Sequence, residues 1–113
     1  LLTYHTVPVL QNGNSSALKT GYFSVDALVF LDLKSRSAIL RNRLNGQQVQ
    51  VEFPGKDYFL LWTKPGAGYI CLEPWAGVQD FVDSTGKLEE KRGILALESG
   101  AEYTATHKIT VLK

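Results

Sequence analysis

The stretch "YICLEPWAGVQD", residues 69–80, sets a carboxylate, Glu73, directly after an apolar run and follows it at once with Pro74 and Trp75. A carboxylate at a strand end has its backbone held by sheet hydrogen bonds and its side chain partly desolvated. That placement suits a general base, which must take and return a proton. Pro74 has no N–H and a fixed φ, so it is expected to end strand pairing there. Trp75 is expected to turn a flat apolar face toward a pocket. The residues alone leave a second reading open, a surface glutamate at a strand end beside a core tryptophan. Asp26, Asp32, Asp80 and Asp83 are the carboxylates in reserve. The sequence has no Gly-rich phosphate loop, HExxH, GxSxG or clustered His/Cys/carboxylate set, which leaves acid/base chemistry by carboxylates.

The other candidate groups have plainer readings. His107 falls on the apolar face of a strand-like segment, where a hydrogen-bonded core or edge histidine is expected, and nothing beside His5 marks it as an acid. Lys34 and Arg36 in "DLKSRS" suit either an anionic substrate group or a solvated face. Cys71 is the only cysteine, which excludes an internal disulfide and CxxC motifs; within "YICLE" it reads as a small buried hydrophobe in a reducing, cytoplasmic compartment.

The elements that must position these residues are short strands. "QVQVEF" alternates strictly, with Val49, Val51 and Phe53 on one face and Gln48, Gln50 and Glu52 on the other, which is the period of a half-buried strand. Asn45-Gly46 just before it suits a tight hairpin turn, so "SAILRN" should pair antiparallel with "QVQVEF". "YFLLWT" reads as a strand buried on both faces, "YICLE" as another after the turn "KPGAG", "GILAL" as a further one, and "YTATHKITV" as the last. "KLEEKRG" reads as a charged surface loop with room for one helical turn, "QNGNSSALKTG" as an exposed loop, and residues 22–36 as irregular structure. Repeated short strands at this spacing predict an all-β fold, a sandwich or a barrel.

Composition bounds the rest. The chain has 113 residues, 44% hydrophobic and 20% charged, as expected of one ordinary globular domain. A net charge of +1 gives no electrostatic reason to expect nucleic acid or an anionic membrane as partner. No apolar run approaches the roughly 20 residues needed to span a bilayer, and the first residues do not read as a signal peptide.

"CLEPWAGVQD", followed by "GKLEEKRGILALESGAEYTATHKITV", resembles the C-terminal part of the aldose 1-epimerase (galactose mutarotase) superfamily, in its LacX-like bacterial branch. "VDALVFLDLKSRSAIL" is similar to the segment that precedes the paired strands there, and the resemblance runs from about Gly21 to Val111. It implies a large antiparallel β-sandwich that interconverts the α and β anomers of free monosaccharides. It places the catalytic base on Glu73 and a sugar-contacting aspartate on Asp26; Trp75 joins them as a substrate contact through the flat apolar face expected of it above. Asp26 is followed by Ala27 and Leu28, so the histidine and asparagine of the family's "DHN" stretch are lacking. The implied mechanism uses no cofactor and no metal, because no redox change or difficult carbanion arises.

Family members are considerably longer, and their two histidines fall upstream of anything present here. The start "LLTYHTV" and the absence of methionine fit the same expectation, that residues 1–113 form the C-terminal segment of a single mutarotase-like sandwich domain. Such a segment carries the base without the acid. It also leaves apolar faces and strand edges uncovered, which predicts self-association or pairing with an N-terminal portion. The competing expectation is a non-catalytic carbohydrate-binding β-sandwich in which Trp75, with Trp62 or Tyr69, stacks on sugar.

Overall fold

The computed structural model describes residues 1–9 and 13–113. The strand-rich sequence folds as expected into an all-β arrangement. Its strands are β1 (Leu28–Phe30), β2 (Ser37–Arg41), β3 (Gln48–Glu52), β4 (Tyr58–Trp62), β5 (Cys71–Trp75) and β6 (Lys108–Leu112), joined by loops with 3-10 turns at Thr20–Phe23 and Leu88–Glu90. They make two antiparallel three-stranded sheets, ordered β1-β4-β5 and β2-β3-β6. No helix among the described residues is long and apolar enough to cross a membrane. The polar loop expected around residues 11–21 lies in part outside the described residues.

The β2–β3 hairpin forms in the register that alternation requires. Ala38 pairs with Val51 and Leu40 with Val49, so the apolar residues of both strands share one face. Gly46 takes the positive φ of 76° that the turn demands. The apolar face of this hairpin meets the β1-β4-β5 sheet in a core of Val51, Phe53 and Phe59, flanked by Phe30, Leu33, Ala38, Leu61 and Leu72. At its centre the Phe53 and Phe59 rings stack with centroids 4.9 Å apart.

The opposite face of the β1-β4-β5 sheet is also covered. Tyr58, Val78 and Phe81 form a second cluster there, with Leu2, Val29, Leu31 and Trp75 packed against it. Burial on both faces is the reason β4 reads as the continuous apolar run "YFLLW" instead of alternating.

Four local expectations are corrected. Residues 22–36 are not wholly irregular, because β1 forms at Leu28–Phe30 and pairs with β4. Pro74 does not end the pairing: β5 continues to Trp75, opposite Tyr58. As β5 is the outer strand of its sheet, a proline nitrogen turned away from β4 loses no ladder bond. "GILAL" is not a strand, and Ile94, Leu95 and Leu97 are exposed. The last strand is only Lys108–Leu112, so His107 lies before it and is exposed. The apolar face of β6 is not core either, with Ile109 63% and Val111 74% exposed. β6 continues the sheet past β3 but, among the described residues, finds no second layer over it.

Candidate functional site

β5 delivers Glu73. Within a strand, residues two apart share a face, so Cys71, Glu73 and Trp75 project together while Leu72 turns into the main core. In the ladder Glu73 stands opposite Leu60, which pairs in turn with Val29 of β1. The carboxylate therefore rises from the face that carries Tyr58, Val78 and Phe81, the face turned away from the β2-β3-β6 sheet. Glu73 is half-buried and, among the described residues, has one side-chain hydrogen-bond partner: the indole Nε1–H of Trp75 donates to its Oε2 at 3.1 Å. None of the ion pairs among the described residues includes it. One oxygen of the carboxylate is thus held by a neutral donor, and Oε1 is left to accept from another group.

The Trp75 ring is half-buried against the Tyr58–Val78–Phe81 cluster. Sequence reasoning gave it a wall of a pocket; the structure gives it packing beneath and a directed N–H at its edge. The turn that follows β5 is fixed by a close approach of two backbones. A methyl group on Gly93 would lie 2.8 Å from the Cα of Gly77 and 2.7 Å from Cε2 of Tyr58, and Gly93 has a φ of 76°. The glycines of "EPWAG" and "KRGIL" thus lock the 76–93 segment over the site face.

Asp26 sits apart from Glu73. It lies in the exposed bend before β1, and its Oδ1 accepts the N–H of Ala27 at 2.7 Å. β1, which follows Asp26, is separated from β5 by β4. Neither histidine hydrogen-bonds to Glu73; His5 and His107 are both exposed. Arg36 is occupied locally, donating to the Leu33 and Ser35 carbonyls and to Asp57 at 3.1 Å, which ties the loop before β2.

Two open cavities lie elsewhere. One, of about 220 Å³, is lined by Tyr4, Asp80, Phe81, Asp83, Lys91 and Arg92 among others. The second, of about 380 Å³, lies beside Leu40, Arg41 and Val49. Glu73, Asp26 and Trp75 line neither.

The first cavity is a polar cluster that sequence reasoning did not assemble. Lys91 bonds Asp80 at 2.9 Å, and the Tyr4 hydroxyl lies 3.0 Å from both Asp83 oxygens. Accepting that hydroxyl, Asp83 raises the Tyr4 phenol above its ordinary value, with burial and the charge of Asp83 adding and Arg92 opposing. Nearby, hydrogen bonds from Thr85 and then Lys87 lower the carboxyl of Glu90. Tyr4 and Asp83, and Lys91 and Asp80, are thus paired with one another beside the N-terminal segment, whose Leu2 bridges Phe81. Groups 79 residues apart give no signal in spacing. Among the described residues no three His, Cys, Asp or Glu side chains come together as a metal site.

The chain is similar to LacX. Both the chromosomal and the plasmid forms of Protein LacX from Lactococcus lactis subsp. lactis are 33% identical to it over 106 residues, 93% of this chain. The chain spans 36% of the length of either. No family model matches it, and no solved structure does.

Proposed function

We propose that residues 1–113 are the base-bearing C-terminal segment of an aldose 1-epimerase-like isomerase acting on free monosaccharides in the cytoplasm. The observation that carries this reading is the half-buried Glu73 carboxylate on β5, oriented through Oε2 and with no partner at Oε1 among the described residues. The likeness to LacX and the "CLEPWAGVQD" motif support it.

In this mechanism Glu73 takes the proton from the anomeric hydroxyl while a histidine from the unmatched part of the LacX-length polypeptide protonates the ring oxygen. The bond between C1 and the ring oxygen breaks to give the open-chain aldehyde. Rotation about C1–C2 and reversal of both transfers close the other anomer. Atoms and electrons balance without a cofactor, and each positioned acid or base contributes about 10²–10⁴ in rate. Asp26, at the exposed rim, is the sugar contact farther from the reacting carbon. The exposed face of β6, together with residues 94–97, is where the remainder of the polypeptide packs; in the isolated segment the same face drives self-association.

Polarimetry of α-to-β galactose and glucose conversion tests the reading, using a LacX-length polypeptide that contains this segment. Conversion above the spontaneous rate that falls at least a hundredfold in Glu73→Gln is expected. The spontaneous rate in the unmodified protein, or an unaffected variant, contradicts it.

A second reading is favoured by one feature. Trp62 and the exposed Tyr69 form a tilted aromatic pair with centroids 6.1 Å apart, a surface on which a sugar can stack. A non-catalytic carbohydrate-binding β-sandwich would keep its sugar affinity in Glu73→Gln and lose it in Tyr69→Ala.

A further inference from the structure

We infer that Trp75 is a positioning residue whose indole N–H fixes Oε2 of Glu73, so that Oε1 is the atom that exchanges the proton. The inference rests on the reading of Glu73 as a base and departs from the expectation that Trp75 is a stacking surface.

Three observations point the same way. Glu73 and Trp75 are two residues apart on one strand and project from one face, so the reach between them is set by the backbone of β5 and not by a mobile loop. The Trp75 Nε1 lies 3.1 Å from Oε2. The ring that carries this donor is itself held against Tyr58, Val78 and Phe81, and Tyr58 is its direct partner across the β4–β5 ladder. A donor on a clamped ring limits the two rotations that would otherwise let a carboxylate swing its oxygens through the site. The hydrogen bond is also neutral-to-charged, so it orients the carboxylate without neutralising it, as Lys or Arg at the same place would. A glutamate meant only to solvate a strand end has no need of either feature.

The role predicts a separation of kinetic constants. Phe at position 75 keeps an aromatic ring for packing or stacking but loses the N–H. In the LacX-length polypeptide, Trp75→Phe should lower kcat about tenfold to a hundredfold with KM changed less than twofold, because the loss falls on orientation in the transition state. Trp75→β-benzothienylalanine, with sulfur in place of N–H and nearly the same shape, should do the same and serves if the Phe variant folds poorly. A rise in KM with kcat unchanged marks a stacking surface and overturns the role.

A spectroscopic arm is independent of turnover. In this 113-residue chain the indole ¹H–¹⁵N resonance of Trp75, assigned against Trp62→Phe, should move upfield in Glu73→Ala and stay in place in Glu52→Ala. An unmoved resonance overturns the role. Spontaneous-rate turnover in the unmodified long polypeptide overturns the base reading and this role together, whereas normal turnover with an unchanged kcat in both Trp75 variants overturns the role alone.

Discussion

Leu60, 3% exposed, stands directly opposite Glu73 in the β4–β5 ladder. The proposed base therefore hangs on one of the best-anchored positions in the molecule while its own side chain stays half in water. Structure and chemistry are separated across one cross-strand pair. Leu60→Ala should destabilise the chain by about 2–5 kcal/mol through the cavity it leaves. Glu73→Gln, which retains an acceptor for the Trp75 N–H, should stay within about 0.5 kcal/mol of the parent. Urea denaturation of the three proteins checks both numbers; equal losses would show that Glu73 belongs to the core.

Gly93 should tolerate no side chain. Its φ of 76° lies in the left-handed region, and an added Cβ would meet the Gly77 backbone at 2.8 Å with nothing flexible there to yield. Gly93→Ala should cost about 1–3 kcal/mol from conformation alone, and more from the contact. At Gly86, whose φ is similar but whose Cβ would meet nothing within 4 Å, the same change should cost only the conformational part. Thermal denaturation of the pair separates contact from conformation.

Alkaline pH should loosen the N-terminal segment. The Tyr4 phenol is raised because its neutral form donates to Asp83, so the folded state favours the protonated group. That contribution is present in full below the ordinary phenol value, near 10, and is lost as pH rises through the higher folded value. The Tm of the parent should exceed that of Tyr4→Phe at pH 8, and the two should converge as pH rises past the raised folded value. A constant gap across that range would mean that the Tyr4–Asp83 bond does not form.

Association should follow the face of β6. Ile109 and Val111 share the face of Val51 and Val49 but are exposed, on the edge strand of the β2-β3-β6 sheet. Sedimentation velocity at tens of micromolar should show dimers or larger species of this chain, and Ile109→Lys with Val111→Lys should return it to monomer. A monomeric parent would contradict the proposed role of that face.

How far the sequence could be read follows from which partners each element needed. The β2–β3 hairpin was legible because its turn, its alternation and its partner are contiguous. β4 was legible because burial on both faces writes an unbroken apolar run. "GILAL" and the first half of "YTATHKITV" have strand-like sequence, but a strand needs a neighbour for its N–H and C=O groups, and the described chain supplies none there. Pro74 misled because the rule against proline in a strand weakens at a sheet edge.

At the site, Glu73 was legible from its place after an apolar run, and its i, i+2 relation to Trp75 could have been read from strand geometry. Away from the site, the burial of Lys56, whose Nζ donates to the Tyr103 hydroxyl at 3.2 Å, had no such signal, because the two are 47 residues apart. The sugar-contacting role of Asp26 came from resemblance alone, and the fold puts β1, which follows it, two strands away from β5.

The central claim is that the Glu73 carboxylate carries a proton to and from an anomeric oxygen. Exchange NMR on ¹³C1-labelled glucose at equilibrium reads the α-to-β rate directly, without consuming substrate. With the LacX-length polypeptide present, cross-peaks between the two anomers should appear within seconds and vanish in Glu73→Gln, while the folded spectrum of the variant is unchanged. Cross-peaks of equal intensity in both proteins, or none in either, would contradict the account.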